Sequence, residues 1–319
     1  MILSASRRTD IPAYYSDWFC NRLQEKYVLV RNPMNAHQVS GISLDPNVVD
    51  CIVFWSKNPR PMLDKLHKLN GYPFYFQFTI NSYTTDIETG LPPKREIIET
   101  FKTLSAKIGA HRVIWRYDPI LLNEKYTIAY HAENFGKIAR ALKGYTEKVT
   151  ISFIDFYSKI SKNIETFHIA QIDNNEKHAI AKSLSDIAHE NGFEMDTCAE
   201  DIDLSSYNIT HARCIDERLI KRIIGGSLKV EKDKTQRLIC GCVASVDIGS
   251  YNSCANGCLY CYANFSHETV KNNMPKHNPL SPLLIGDIAN SDVCKKRLLS
   301  SQKIYEPKIL LGGEENDTL

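Results

Sequence analysis

The chain has no apolar run approaching the roughly 20 residues that cross a bilayer. Its start, Met-Ile-Leu-Ser-Ala-Ser-Arg-Arg, lacks the charged opening and long apolar stretch of a secretion signal. A membrane or exported protein is therefore not expected, and the expected compartment is the cytoplasm. Nor does one charge dominate: 39 Lys and Arg oppose 37 Asp and Glu, for a formal charge of +2. There is no global basic field to hold nucleic acid nonspecifically, although a local basic cleft stays open. Also missing are His-x-x-x-His and His-Glu-x-x-His pairs, any Gly-x-Gly-x-x-Gly run and any phosphate loop. Their absence removes the common zinc-hydrolase, dinucleotide and nucleotide-phosphate signatures.

What is present is enough apolar residue for a sizeable core, 43% over 319 positions, and ten cysteines. In a reducing compartment structural disulfides are rare, so clustered thiols point to metal or redox chemistry. The distribution is uneven. Cys20, Cys51 and Cys294 are isolated, whereas Cys198, Cys214, Cys240, Cys242, Cys254, Cys258 and Cys261 fall in one later stretch.

Through the first two hundred residues, short β-branched or aromatic runs alternate with segments of helical period, the pattern of βα units around a parallel sheet. Strands are expected over 2–5, 27–30, 51–55, 74–80, 112–115, 149–154 and 193–197. Helices are expected over 14–24, 60–69, 94–108, 127–142 and 175–190. The fold expected is α/β and TIM-barrel-like, with residues 1–200 as the βα repeat and 201–319 as a cysteine-rich segment completing the same domain. A further strand over 243–248 leads into the densest cysteine run, and a short helical stretch is expected near Asp292 to Leu299.

Five of these strands end in polar clusters: Ser6-Arg7-Arg8-Thr9-Asp10, Arg31-Asn32-Pro33, Ser56-Lys57-Asn58-Pro59, Arg116-Tyr117-Asp118-Pro119 and Cys198-Ala199-Glu200. Ligand sites in parallel α/β folds lie at the carboxyl ends of strands. Arg7, Arg8, Asp10, Lys57, Arg116 and Asp118 are thus candidate catalytic or substrate-binding groups around a shared mouth. The plainer alternative is that they cap helices and pair with one another.

The run Cys254-Ala-Asn-Gly-Cys258-Leu-Tyr-Cys261 places three thiols on one glycine-containing loop. A 4Fe-4S cluster usually takes four thiolates, so three leave one iron open for an exchangeable partner. This run, with aromatic Tyr260 before the last Cys, resembles the signature of the radical S-adenosylmethionine superfamily. The resemblance implies a 4Fe-4S cluster on Cys254, Cys258 and Cys261, S-adenosylmethionine bound at the open iron, and Tyr260 near the adenine. It also implies a 5′-deoxyadenosyl radical that abstracts hydrogen, and an electron donor such as flavodoxin or ferredoxin.

More closely, the chain is similar to an uncharacterised bacterial family, known only as a domain of unknown function, with a C-terminal cysteine cluster of this kind. That likeness rests on Ser-Arg-Arg-Thr-Asp-Ile-Pro at 6–12, Trp-Ser-Lys-Asn-Pro at 55–59, Trp-Arg-Tyr-Asp-Pro at 115–119, Cys-Ala-Glu at 198–200, and Asp247-Ile-Gly-Ser-Tyr through Asn264. The superfamily carries its cluster loop after the first strand, whereas here it follows about 240 residues. A permuted or partial barrel reconciles this if strand 243–248 stands first in space, with the N-terminal strand beside it. Gly312-Gly313-Glu314 matches, in letters, the superfamily motif that holds the S-adenosylmethionine amine.

Cys198, Cys214, Cys240 and Cys242 are the right number for a second, fully ligated site, either another 4Fe-4S cluster or a zinc; scattered thiols are the alternative. The expected function is a radical S-adenosylmethionine enzyme of unknown substrate, with the cations at the mouth favouring an anionic one. The competing reading is a non-catalytic zinc or iron-sulfur protein with a nucleic-acid or electron-transfer role.

Overall fold

A computed structural model describes residues 1–304. The Gly312-Gly313-Glu314 motif lies outside the described residues. Among those described, no helix is long and apolar enough to cross a membrane.

In chain order the strands are β1 (Ile2–Ala5), β2 (Tyr27–Asn32), β3 (Asn35–Ser43), β4 (Cys51–Ser56), β5 (Phe74–Thr79), β6 (Val113–Ile120), β7 (Lys148–Phe153), β8 (Glu194–Thr197), β9 (Ile209–His211), β10 (Ser227–Leu228), β11 (Val246–Asp247), β12 (Val293–Lys296) and β13 (Lys303–Ile304). The helices are α1 (Ile11–Tyr14), α2 (Ser16–Glu25), α3 (Lys94–Ile108), α4 (Ile128–Leu142), α5 (Ser161–Thr166), α6 (Asn174–Glu190), α7 (Glu217–Ile224) and α8 (His267–Asn273). Arg60–Leu69 forms a 3₁₀ helix.

Eight strands make one parallel sheet in the order β11-β1-β4-β5-β6-β7-β8-β9. The chain is therefore α/β with a large parallel sheet. Closure into a TIM barrel is not seen: β9 and β11 are edges, and between them run connecting segments that touch through Val243 N donating to Ile215 O at 3.2 Å. The strand that leads into the cysteine loop, β11, lies beside β1, with Leu3 opposite Val246.

Strand side chains alternate between two faces. Phe54, Phe74, Phe76, Phe78, Val113, Trp115, Tyr117, Val149 and Ile151 join the core that also holds Trp18 and Phe19 of α2, Phe101 of α3, Phe135 of α4 and Leu184 of α6. The alternate positions include Gln77, Arg116, Thr150, Ser152 and Asp196, all buried. These polar groups are partnered on that face, Thr150 Oγ1 donating to Asp196 Oδ1 at 2.6 Å and Gln77 Nε2 to Cys214 O at 2.8 Å, because burying them unpaired would cost several kcal/mol each.

Local signals agree with the helices. Thr127 caps α4 by accepting from Tyr130 N at 3.1 Å. Asp173 and Glu176 form a reciprocal capping box at α6.

Three expectations are corrected. The strand at 27–30 exists, but it pairs antiparallel with β3 in a separate three-stranded sheet with β12 instead of joining the parallel sheet. The stretch near 292–299 is not helical: Val293–Lys296 is β12, paired with β3. The strand expected over 243–248 is shorter, with Val246–Asp247 alone forming β11 at one edge of the large sheet.

Candidate functional site

A cavity of about 870 Å³ opens at the carboxyl ends of the parallel strands. It is bordered by Arg7, Arg8 and Asp10 after β1, Lys57 after β4, Arg116 and Asp118 of β6, Cys198 after β8, and all three cysteines of the 254–261 loop. Cys214, Cys240 and Cys242 line it too. Six candidate polar groups and seven cysteines, distant in sequence, therefore share one space. Arg31, Asn32 and Pro33 also border it, from the separate small sheet. Glu200 does not: it is buried, accepts from Phe153 N at 2.8 Å and lies 3.8 Å from Lys177.

The 254–261 loop is docked by its backbone. Tyr15 OH donates to Ser253 O at 2.5 Å, Gly90 N to Asn256 O at 3.0 Å, Leu259 N to Ile87 O at 3.0 Å and Asn163 Nδ2 to Leu259 O at 2.7 Å. Gly257 has φ +64°, and a Cβ there would lie 2.0 Å from Thr89 Oγ1, so only glycine fits. The three thiols are half-buried. Burial pushes their pKa values up, that of Cys258 to about 12.

Asp10 ties this loop to the strand ends. Its carboxylate accepts from Ser56 Oγ at 2.7 Å, Lys57 N at 2.8 Å, Asn256 Nδ2 at 3.0 Å and Ala13 N at 3.1 Å. Burial raises its pKa against those four donors. Lys57 Nζ donates to Glu88 Oε1 and Tyr260 OH, both at 2.8 Å. Burial opposes ionisation of Glu88, but Lys57 and Lys94 outweigh it and pull its pKa down to about 2. Tyr260, expected near an adenine, is held in this network with Glu88, Lys57 and Asn81.

Arg116 is buried and pairs with Asp118, Nε to Oδ2 at 2.9 Å, while its Nη1 donates to Cys214 Sγ at 2.8 Å. Arg8 sits over Tyr251 and 3.9 Å from Asp247. Arg7 is different. It stacks on Trp55 and lies 3.8 Å from Asp233, yet its Nη2 is buried with no hydrogen-bond partner.

Two of the four dispersed cysteines touch, Cys198 Sγ and Cys214 Sγ at 3.2 Å, and Cys240 and Cys242 line the same cavity. Hydrogen bonds from Cys198 and Cys242, with Arg116 beside it, hold the Cys214 thiol well below its ordinary pKa despite burial. In Cys240-Gly241-Cys242 the glycine is required by close approach: a Cβ would meet Arg213 Cγ at 2.8 Å and Ala212 O at 3.1 Å. Among the described residues, no group of three or more His, Cys, Asp or Glu surrounds a point as a single metal ion requires.

Sequence reasoning passed over Glu88, Asn256 and Asp247. Asp247 accepts from Ser4 Oγ at 2.8 Å, Ser6 Oγ at 2.6 Å, and Arg7 N and Gly249 N at 2.9 Å. Its signal was a lone carboxylate at the end of an apolar strand. Glu88 had none, because its lysines come from positions 31 residues before and 6 after.

Fold and site together define an α/β protein with a cysteine-lined cavity at the carboxyl ends of a parallel sheet. The chain belongs to the family described as Domain of unknown function (DUF1848), whose model matches residues 2–263. No curated protein and no solved structure matches it.

Proposed function

We propose that the protein is a radical S-adenosylmethionine iron-sulfur enzyme on a permuted, partial barrel, with Cys254, Cys258 and Cys261 holding a 4Fe-4S cluster. One observation carries this reading: the loop bearing three, not four, thiols leaves β11, which stands beside β1, and opens into the strand-end cavity. The donor set fits the group, since three thiolates leave one iron for an exchangeable ligand. When bound and reduced, the cluster would supply an electron that cleaves S-adenosylmethionine into methionine and a 5′-deoxyadenosyl radical able to take hydrogen from a substrate. A small electron-transfer protein such as a flavodoxin or ferredoxin would supply that electron.

The chain's own residues position and shield. Asp10 and Asn256 fix the loop on the strand ends, and the Lys57, Glu88, Lys94 and Tyr260 network locks it from below. Of the four cations expected to attract an anionic substrate, Lys57 and Arg116 are occupied by carboxylates and Arg8 borders Asp247. Arg7 alone among them keeps a buried N–H without a partner, and it is the group for an anionic substrate or the S-adenosylmethionine carboxylate.

The test is anaerobic purification with iron and sulfide analysis, then incubation with S-adenosylmethionine and dithionite. Formation of 5′-deoxyadenosine, lost when the three cysteines are replaced by Ala, is the expected result. A cluster-loaded protein that forms none under reduction would instead support the non-catalytic reading.

A further inference from the structure

We propose that Cys198, Cys214, Cys240 and Cys242 form a second metal-sulfur centre, a 4Fe-4S cluster ligated by all four thiolates, facing the same cavity as the first. It goes beyond the proposed activity and does not depend on it. Cys198 follows β8 and Cys214 follows β9, while Cys240 and Cys242 come from the segment that returns to β11, so the open edge of the sheet gathers them. Cys198 and Cys214 already touch at 3.2 Å, and Cys242 Sγ accepts from Ile215 N at 3.4 Å.

Charge is the second, independent observation. A cluster held by four thiolates is an anion, and buried anions need cationic or hydrogen-bonding partners. Arg116 Nη1 donates to Cys214 Sγ at 2.8 Å from a buried position. Arg116 shares its charge between Asp118 and Cys214, so an anionic cluster on these sulfurs would meet a buried cation already in place.

A four-thiolate zinc, with every sulfur about 2.3 Å from one point, is the alternative that metal analysis separates from a cluster. A cubane instead takes its thiolates at four separate corners, and these four border a cavity of about 870 Å³. Side-chain rotation of Cys198 or Cys214 would part their sulfurs onto neighbouring corners.

The experiment is metal and sulfide analysis, with paramagnetic resonance of the reduced protein, on the full chain reconstituted anaerobically with iron and sulfide. Two cubanes give about 8 iron per chain in the wild type and about 4 in the Cys254→Ala/Cys258→Ala/Cys261→Ala variant. In that variant, adding Cys240→Ser should remove the remaining cubane signal while far-ultraviolet circular dichroism is unchanged. A wild type with about 4 iron, all lost in the triple variant, overturns the second centre and leaves the first standing. About 4 iron retained in full by the triple variant upholds the second centre and overturns the first. One zinc per chain in the triple variant, or a signal that survives Cys240→Ser, overturns the second centre. The wild-type iron count needs no variant to fold.

Discussion

Cys254, Cys258 and Cys261 sit within one eight-residue loop held by backbone hydrogen bonds and a positive-φ glycine, whereas Cys198, Cys214, Cys240 and Cys242 are spread over 45 residues. Burial raises the thiol pKa values throughout the first set; in the second the shifts diverge, with Cys198 and Cys242 raised and Cys214 lowered by hydrogen bonds from those two thiols and by Arg116. The contrast shows two ways of making a thiol site. A loop fixes spacing locally, while a fold edge gathers thiols from distant segments and sets a buried guanidinium beside them.

Arg116→Met attacks the dispersed side and should have the largest effect. It leaves the Asp118 carboxylate without its cation and removes a donor to Cys214, which for a buried pair costs about 3 to 5 kcal/mol. Adding Asp118→Asn should recover part of that loss in chemical denaturation. If Arg116→Met costs nothing, the pair is no strut and the charge difference between the two sets collapses.

Acid should loosen the loop side. His131 is fully buried, with Nδ1 accepting from Tyr117 OH at 2.7 Å and Nε2 donating to Leu121 O at 2.8 Å, and burial pulls its pKa down to about 4. Tyr83 lies between it and Tyr260 of the loop. Since the unfolded chain takes up the proton first, this stability is complete above about pH 6.5 and declines as pH falls toward 4. The decline totals on the order of 3 kcal/mol. His131→Phe should flatten the dependence between those pH values; an equally steep fall in the variant would assign it elsewhere.

Gly257→Ala is the smallest test and the most local. The strained φ and the clash with Thr89 should cost about 1 to 3 kcal/mol. Iron on the contiguous set should fall while metal on the dispersed set stays, which iron analysis of the variant reads directly.

Much of the large sheet was legible because aromatic and β-branched runs separated by helical period leave few alternatives: 2–5 and 94–108 match β1 and α3 residue for residue. The failures are short or edge elements. Val293-Cys294-Lys295-Lys296 is exposed and too brief to show a period, and β12 forms only because β3 offers an edge. Likewise Tyr27–Asn32 reads as a strand in any sheet, and its pairing with β3 is set by the turn that follows it.

For the site, the sequence by itself determined the Cys-x3-Cys-x2-Cys spacing and the polar strand ends, because each is a property of a few consecutive residues. Only the tertiary structure decided that β11 stands beside β1, that Lys57 and Arg116 are paired with carboxylates while Arg7 Nη2 has no partner, and that four scattered cysteines line one cavity. Those outcomes depend on which distant carboxylate or sulfur reaches a charge first. Pairing across a folded sheet is a matter of distance in space, and residue spacing along the chain carries no record of it.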